Sequence, residues 1–198
     1  MRAGTRRVFV DGPAGRIECA LDAPEAPPVG AALIAHPHPL HGGTLDNKVV
    51  QTLARALLEL GYETWRPNFR GVGGSEGAHD GGRGEVEDLA AVRSAMSLPC
   101  RVLAGFSFGA AMQAMLAARA APEALVLVGP AVTAHELPPA PAGTLVIHGE
   151  NDTTIPLSAV LDWARPQELP VVLVPGADHF FHRKLAVLRA IVRAMLRP

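Results

Sequence analysis

Residues 101–112 read RVLAGFSFGAAM: an apolar run, then Gly-Phe-Ser-Phe-Gly, then an alanine-rich segment. This order predicts a strand, a tight turn with Ser107 at its apex, and a helix. A serine at such an apex adopts a strained, positive φ that only close packing can hold. Gly105 and Gly109 remove the side chains that would collide where the strand and the helix pass each other. Because the helix would direct its free N–H groups and positive dipole end at Ser107, this serine is the candidate nucleophile.

A second G-x-S-x-G match lies at residues 73–77, which read GGSEG. It belongs to a glycine-rich run, with no apolar strand before it and no helical pattern promptly after it. Glycine-rich segments of this kind are typical of loops. The sequence therefore predicts that Ser75 is a loop residue, and context separates it from Ser107.

Apolar runs alternate along the chain with segments of helical periodicity. Two short runs flank a turn rich in glycine and proline, and this pattern predicts an antiparallel hairpin. The later apolar runs are continuous, as is typical of buried parallel strands. Thr44 or Asp46 is expected to cap the first helix. We expect residues 1–198 to form a single α/β domain, with a mostly parallel sheet, helices on both faces and no separate lid. The strands are expected at 6–10, 16–21, 31–35, 62–66, from 101, and at 124–128, 144–148 and 171–174, and the helices at 46–60, 85–96, 110–120, 156–164 and 183–196.

The composition is that of an ordinary globular protein, with 48% hydrophobic and 19% charged residues. A net charge of −1 gives no electrostatic reason to expect binding to nucleic acid or to an anionic membrane surface. Cys19 and Cys100 fit no metal or redox spacing and are expected to be buried thiols in a reducing compartment. Residues 1–10 lack the pattern of a secretory signal, and no apolar run is long enough for a membrane span, so a cytoplasmic location is expected.

A serine hydroxyl becomes a strong nucleophile only when a base takes its proton and a third group orients that base. With a serine at a strand-to-helix turn, the acid and then the histidine are expected later in the chain, each after a strand. Asp152 follows the expected strand at 144–148, and His179 follows the one at 171–174. Both then lie at the carboxyl edge of the sheet, where open α/β sheets bind their ligands. Ser107, Asp152 and His179 are therefore the candidate catalytic residues.

Neighbouring residues offer alternatives for the acid and the base. Glu150 could replace Asp152, which lies farther beyond the strand and has more freedom to reach the base. Asp178 adjoins His179, and adjacent side chains in an extended loop usually point apart. His182 remains an alternative base, although it lies nearer the final helix.

An oxyanion hole is expected to use the backbone N–H of Phe108, the residue after the nucleophile, and one N–H from the loop at 36–43. The prolines in this loop cannot donate. His38 is therefore the first candidate for the second donor, and Leu40 is the alternative. Leu40, Phe106 and Phe108 are also expected to line an apolar substrate pocket.

Polar residues in the loop at 36–43 suggest a further hypothesis, a metal site. The spacing of His36, His38 and His41 is H-x-H-x-x-H, as in some zinc sites. However, such sites carry an aspartate at the position of Leu40. A zinc hydrolase would also leave the turn at Ser107 unexplained. We therefore expect no metal.

The loop at 69–74 lacks the Lys-Ser/Thr of a phosphate-binding loop. It is expected to form a wall of the site, where Arg70 could meet an anionic group of the substrate.

Over nearly its whole length the chain resembles the α/β-hydrolase superfamily. It is most similar to small, lidless bacterial hydrolases related to dienelactone hydrolase and to dipeptidyl-aminopeptidase-type esterases. One departure is that dienelactone hydrolase has a cysteine nucleophile, whereas this chain has Ser107. The shared motifs are HPHP at 36–39, GGT at 42–44, NK at 47–48, NFRGVG at 68–73, GFSFG at 105–109 and HGEND at 148–152.

The resemblance implies an eight-stranded, mostly parallel sheet and a triad of Ser107, Asp152 and His179. It also implies that a small carboxylic ester or thioester is hydrolysed through an acyl-enzyme, without a cofactor. An alternative from another class is a catalytically idle hydrolase fold that binds a small ligand or docks a partner. The sequence leaves open whether the chain is a monomer or a homodimer.

Overall fold

The computed structural model describes residues 4–196, and within them strands and helices alternate as the sequence predicts. The strands are β1 (Arg6–Gly12), β2 (Gly15–Asp22), β3 (Gly30–Ala35), β4 (Tyr62–Pro67), β5 (Cys100–Phe106), β6 (Ala124–Val128), β7 (Leu145–Gly149) and β8 (Val171–Val174). The helices are α1 (Lys48–Glu59), α2 (Arg83–Ala95), α3 (Phe108–Arg119), α4 (Leu157–Ala164) and α5 (Leu185–Met195).

The strands form an eight-stranded sheet in the order β1-β2-β4-β3-β5-β6-β7-β8. β2 pairs antiparallel with β1 and with β4, and every later pairing, from β4–β3 to β7–β8, is parallel. This confirms the predicted fold class. Because β3, β5, β6, β7 and β8 run in the same direction, the loops that follow them meet at one edge of the sheet.

Alternate residues of the central strands face two separate apolar cores, as the two-residue period of a strand requires. Leu33 and Leu103 face the core formed with α2, α3 and α4. Ile34 and Phe106 face the opposite core, formed with α1 and α5. The sheet is therefore covered on both faces, which explains why its central strands are continuous apolar runs.

The cap of α1 differs from the prediction. The side chain of Asn47 accepts hydrogen bonds from the N–H groups of Val49 at 2.9 Å and Val50 at 3.4 Å. Thr44 instead accepts from the N–H of Asp46 in the preceding turn. The prediction of Thr44 or Asp46 as the cap was wrong because this turn delays the helix by about half a turn.

One local feature was not predicted: residues Pro39–His41 form a short 3₁₀ helix, for which the proline supplies a favourable φ. Helix α3 begins at Phe108, directly after Ser107, as the strand-to-helix turn predicts and two residues before the alanine-rich run at 110–120. A single residue therefore makes the whole turn from β5 into α3.

Cys19 and Cys100 are both unpaired. Burial, together with the neighbouring charge of Glu18, raises the pKa of the Cys19 thiol to about 12, and burial raises the pKa of Cys100 to about 11. Neither thiol is therefore a reactive thiolate at neutral pH. None of the helices within residues 4–196 has the length and apolar character that a membrane crossing requires.

Candidate active site

Ser107 forms the turn between β5 and α3 with φ 56° and ψ −117°. Its N–H donates to the carbonyl of Val128 at 2.9 Å, which fixes the turn against β6. A Cβ at Gly105 would overlap the backbone of Gly109, and a Cβ at Gly109 would overlap two carbonyl oxygens at the end of β3. The two glycines thus allow the close packing that holds Ser107 in its strained conformation.

Ser107, His179 and Asp152 form a hydrogen-bonded chain. The Oγ of Ser107 lies 3.0 Å from Nε2 of His179, and Nδ1 of His179 lies 2.6 Å from Oδ2 of Asp152. A carboxylate only accepts, so Nδ1 carries the proton and Nε2 is free to accept from the serine hydroxyl. The three residues follow β5, β8 and β7, and each is at most 8% exposed. The structure therefore brings together the three side chains that the sequence singled out.

The surroundings of Asp152 keep its carboxyl ionised. Burial raises the pKa of this carboxyl, but hydrogen bonds from His179 and from the N–H of Ile155 outweigh burial and bring the pKa below its ordinary value. His148 lies close by, with Nε2 3.0 Å from the Ile155 carbonyl and 3.7 Å from Oδ2 of Asp152. Burial lowers the pKa of His148 in spite of the adjacent carboxylate. At neutral pH the carboxylate of Asp152 therefore interacts with His179, and the neighbouring His148 carries no competing charge.

The alternative acids and base have other partners. Nδ1 of His182 lies 2.6 Å from Oδ2 of Asp178, and the two form a pair on the surface. Glu150 accepts a hydrogen bond from the N–H of Gly176 at 2.8 Å. Neither His182 nor Glu150 takes part in the chain that ends at Ser107, because each is held by its own local contact.

Ser75 has a structural environment. Its hydroxyl donates to the carbonyl of Asn68 at 2.8 Å and accepts from the N–H of Glu18 at 2.9 Å. It therefore ties the loop after β4 to β2, and the second G-x-S-x-G match lies in a loop as predicted.

The loop after β3 is anchored by His36. This side chain is fully buried, with Nδ1 2.6 Å from the carbonyl of Pro37 and Nε2 accepting from the N–H of Phe69 at 2.9 Å. Burial lowers the pKa of His36 to about 4. The N–H of Leu40 donates to Nδ1 of His38 at 3.3 Å, whereas the N–H groups of His38 and Phe108 have no acceptor among residues 4–196. Of the two candidates for the second oxyanion donor, His38 thus keeps its N–H available.

Three histidine rings pack against the ring of Phe108, and two of them, His79 and His135, were not predicted. The His38 ring stacks on His41 with centroids 4.4 Å apart and lies 4.9 Å from His79. His79 and His135 lie 5.6 and 5.4 Å from the Phe108 ring. Burial and the three neighbouring histidines lower the pKa of His38. The sequence carried no signal for His79 or His135, because each comes from a separate irregular segment.

The geometry of this loop does not fit the zinc alternative. Both ring nitrogens of His36 are engaged by backbone groups, so His36 has no nitrogen with which to bind a metal beside His38 and His41. Across the part of the chain that the structure describes, no group of three or more His, Cys, Asp or Glu residues could hold a metal ion.

The structure contradicts the role expected of Arg70. Its guanidinium donates to both carboxylate oxygens of Asp88 at 2.8 Å and to the carbonyl of Gly84 at 2.8 Å, and it lies 3.5 Å from Asp80. The bidentate bond with Asp88 raises the pKa of Arg70. Arg70 therefore holds the loop after β4 against α2 and is not offered to a substrate anion.

The expected apolar lining is also arranged differently. Phe106 is fully buried, and its ring packs against the ring of His179 with centroids 4.8 Å apart. Phe106 packs against His179 from the core, and because it is fully buried it cannot touch a substrate. Phe108 is likewise buried at 1% exposure, whereas Leu40 is 71% exposed on the loop after β3. Of the expected lining residues, only Leu40 presents its side chain to solvent.

The model of the α/β-hydrolase fold family matches residues 40–143, slightly more than half of the chain. An uncharacterized protein of Rickettsia prowazekii is 34% identical, and the match covers 90% of this chain and 83% of that protein. The chain belongs to the α/β-hydrolase family.

Solved structures agree with this assignment. An α/β serine hydrolase homologue from Coxiella burnetii has 39% identity and a TM-score of 0.91, with 99% of both chains covered. A serine hydrolase without a lid from Xanthomonas campestris has 38% identity and a TM-score of 0.88, and the match covers 100% of this chain and 95% of that one. The chain is thus similar over its full length to small serine hydrolases, which supports hydrolase chemistry.

Proposed function

We propose that this protein is a serine hydrolase that cleaves a carboxylic ester or thioester of a small molecule through an acyl-enzyme on Ser107. The hydrogen-bonded chain from Ser107 through His179 to Asp152 supports this proposal most directly. The similarity to serine hydrolases along the whole chain adds to it.

In the first half of the reaction, the Oγ of Ser107 attacks the substrate carbonyl while Nε2 of His179 takes its proton. Asp152 holds His179 in the tautomer with the proton on Nδ1 and stabilises the imidazolium that forms. The proton then passes from Nε2 to the leaving oxygen or sulfur as its bond to the acyl carbon breaks. The acyl group remains on Ser107.

The oxyanion of the tetrahedral intermediate is stabilised by the N–H groups of Phe108 and His38. Phe108 is the first residue of α3, where a backbone N–H has no partner within the helix and the helix dipole is positive. His38 lies on the loop that His36 anchors, so its N–H is held in place before the substrate binds.

In the second half, a water molecule gives its proton to Nε2 of His179 and attacks the acyl carbon. The bond to the Oγ of Ser107 breaks, the serine recovers its proton from His179, and the acid leaves. These steps need only side chains and backbone groups of the chain, so the proposal includes no cofactor.

Labelling with a fluorophosphonate probe tests the proposal, because this probe forms an adduct only with an activated serine. We expect labelling at Ser107 and loss of labelling in Ser107→Ala. Ser75→Ala is the matched control, since Ser75 has the same G-x-S-x-G pattern and should leave labelling at Ser107 in place. In a panel of small esters and thioesters, Ser107→Ala should lower the rate by at least about 10⁴-fold.

The contrary result is a folded wild-type protein that the probe does not label and that hydrolyses none of the panel. That outcome would favour an idle hydrolase fold that binds a ligand. Labelling that persists in Ser107→Ala would assign the nucleophile to another residue.

A further inference from the structure

A cavity of about 310 Å³ lies between the start of α1 and the segment that joins His179 to α5. Lys48 and Val49 line it from α1, and Phe180, Arg183 and Leu185 line it from the other side. It combines apolar walls with cationic side chains, and the mechanism proposed above does not use it.

The cavity adjoins His179 through Phe180. The Phe180 ring packs edge-on against the His179 ring with centroids 5.2 Å apart, and it lies 5.9 Å from the ring of Phe106. Phe180 is nevertheless 46% exposed, so part of its ring is open to a ligand in the cavity. A ligand in the cavity would contact Phe180, whose ring lies against the imidazole of His179.

The segment that forms one wall is held in a strained conformation. Phe181 and Arg183 have φ values of 55° and 59°, in the left-handed region that non-glycine residues rarely adopt. Phe181 is fully buried, and Asp178 accepts from the N–H of His182 at 3.0 Å. These contacts hold Phe180 and Arg183 toward the cavity, and strain of this kind is concentrated at ligand-binding sites.

The charge in the cavity is positive and unbalanced. Within residues 4–196, Lys48 and Arg183 form no ion pair, unlike Arg189 and Arg193 of α5, which both pair with Glu59. His182 also lines the cavity, but the carboxylate of Asp178 engages it. Two cations beside an apolar wall favour a ligand that carries an anion on an apolar or aromatic body.

The cavity lies on the His179 side of the site, and this position indicates which part of the substrate the cavity would hold. In the proposed reaction Nε2 of His179 delivers a proton to the leaving oxygen or sulfur, so the leaving group must lie against His179. We propose that the cavity binds the leaving group and selects alcohols or thiols that carry a carboxylate or phosphate. This inference rests on the proposed function and narrows its substrate class.

Four esters separate the possibilities. Phenyl acetate is the neutral reference, 3-carboxyphenyl acetate and 3-acetoxyphenyl phosphate carry the anion on the leaving group, and monophenyl succinate carries it on the acyl group. The readout is the kcat/KM of each anionic ester divided by that of phenyl acetate. The ratio removes any general effect of a substitution on activity, and comparing it with the wild-type ratio cancels the intrinsic reactivity of the esters.

We expect Lys48→Met and Arg183→Gln each to lower the ratio for the two leaving-group anions by about two- to fivefold, the range of a partly exposed charge pair. The double variant should lower it further, and the ratio for monophenyl succinate should not change. Arg55→Gln is the matched control: it removes an exposed cation about two turns farther along α1, outside the residues that line the cavity, and should keep every ratio.

Two results would count against the inference alone: a double variant with wild-type ratios, or an equal loss for monophenyl succinate, which indicates a general effect of charge. The relative losses for carboxylate and phosphate show which anion the cavity prefers. If a folded wild-type protein hydrolyses none of the four esters and the fluorophosphonate probe fails to label it, the proposed function itself is refuted.

Discussion

Acid should destabilise the fold through His36 more than through an ordinary histidine. Nδ1 of His36 donates to the Pro37 carbonyl, which only accepts, and Nε2 accepts from the N–H of Phe69, which only donates. A second proton on Nε2 would break the bond to Phe69 and place a charge where no water reaches. This is the physical reason why burial lowers the pKa of His36 from 6.5 to about 4.

The sign and size of the effect follow from linkage. Between pH 6.5 and about 4, the unfolded chain binds a proton at His36 that the folded chain does not. The stability that neutral His36 contributes is thus fully present above pH 6.5 and is lost as the pH falls through this window. Integrated from pH 7 to pH 4, the loss in the free energy of unfolding is about 3 kcal/mol, of which about 2 kcal/mol is lost by pH 5.

The assay is urea unfolding of the wild type and His36→Gln at pH values from 7 to 4. Removing His36 lowers stability at every pH, so the readout is the change with pH: the wild type should lose about 3 kcal/mol more than the variant. His41→Gln keeps His36 and should retain the extra loss. Parallel curves for the wild type and His36→Gln between pH 7 and pH 5 would refute the reasoning.

Two further substitutions test the turn and the acid. Gly109→Ala places a methyl group against two carbonyl oxygens at the end of β3 and should lower the free energy of unfolding by about 1–3 kcal/mol in urea titrations. Gly4→Ala is the control, because a methyl group there meets open space and should leave the stability unchanged. Equal stabilities of the two variants would contradict the close packing at Gly109. Asp152→Asn should lower kcat by about 10⁴-fold with the fold intact, because His179 loses its productive tautomer. Glu150→Gln should retain activity, and the opposite ranking would reassign the acid.

The local part of the structure was predictable from sequence because short-range rules encode it. The strand, the two glycines and the helix around Ser107 lie within a dozen residues, and steric exclusion alone favours that turn. The order of a serine, an acid and a histidine after successive strands likewise placed Asp152 and His179 at one edge of the sheet. That these residues act in catalysis remains a prediction.

Other expectations failed where the partner of a side chain comes from elsewhere in the fold. Arg70 was expected to face the substrate from a glycine-rich loop, yet Asp88 and Gly84 on α2 accept hydrogen bonds from its guanidinium. Phe106 adjoins the nucleophile in sequence but points into the core beneath His179. Strand alternation assigns Phe106 to one face, and only the packed helices decide that this face is closed to a ligand.

By itself the sequence determined the class of fold, the serine turn and the edge at which polar side chains collect, since apolar periodicity and glycine sterics act over a few residues. Only the tertiary structure decided which backbone N–H groups stay unpaired, which cations pair with carboxylates and where a cavity remains beside Phe180. Those outcomes depend on distances between segments far apart in the chain, and burial fixes both the hydrogen-bond partners and the pKa of the groups it encloses.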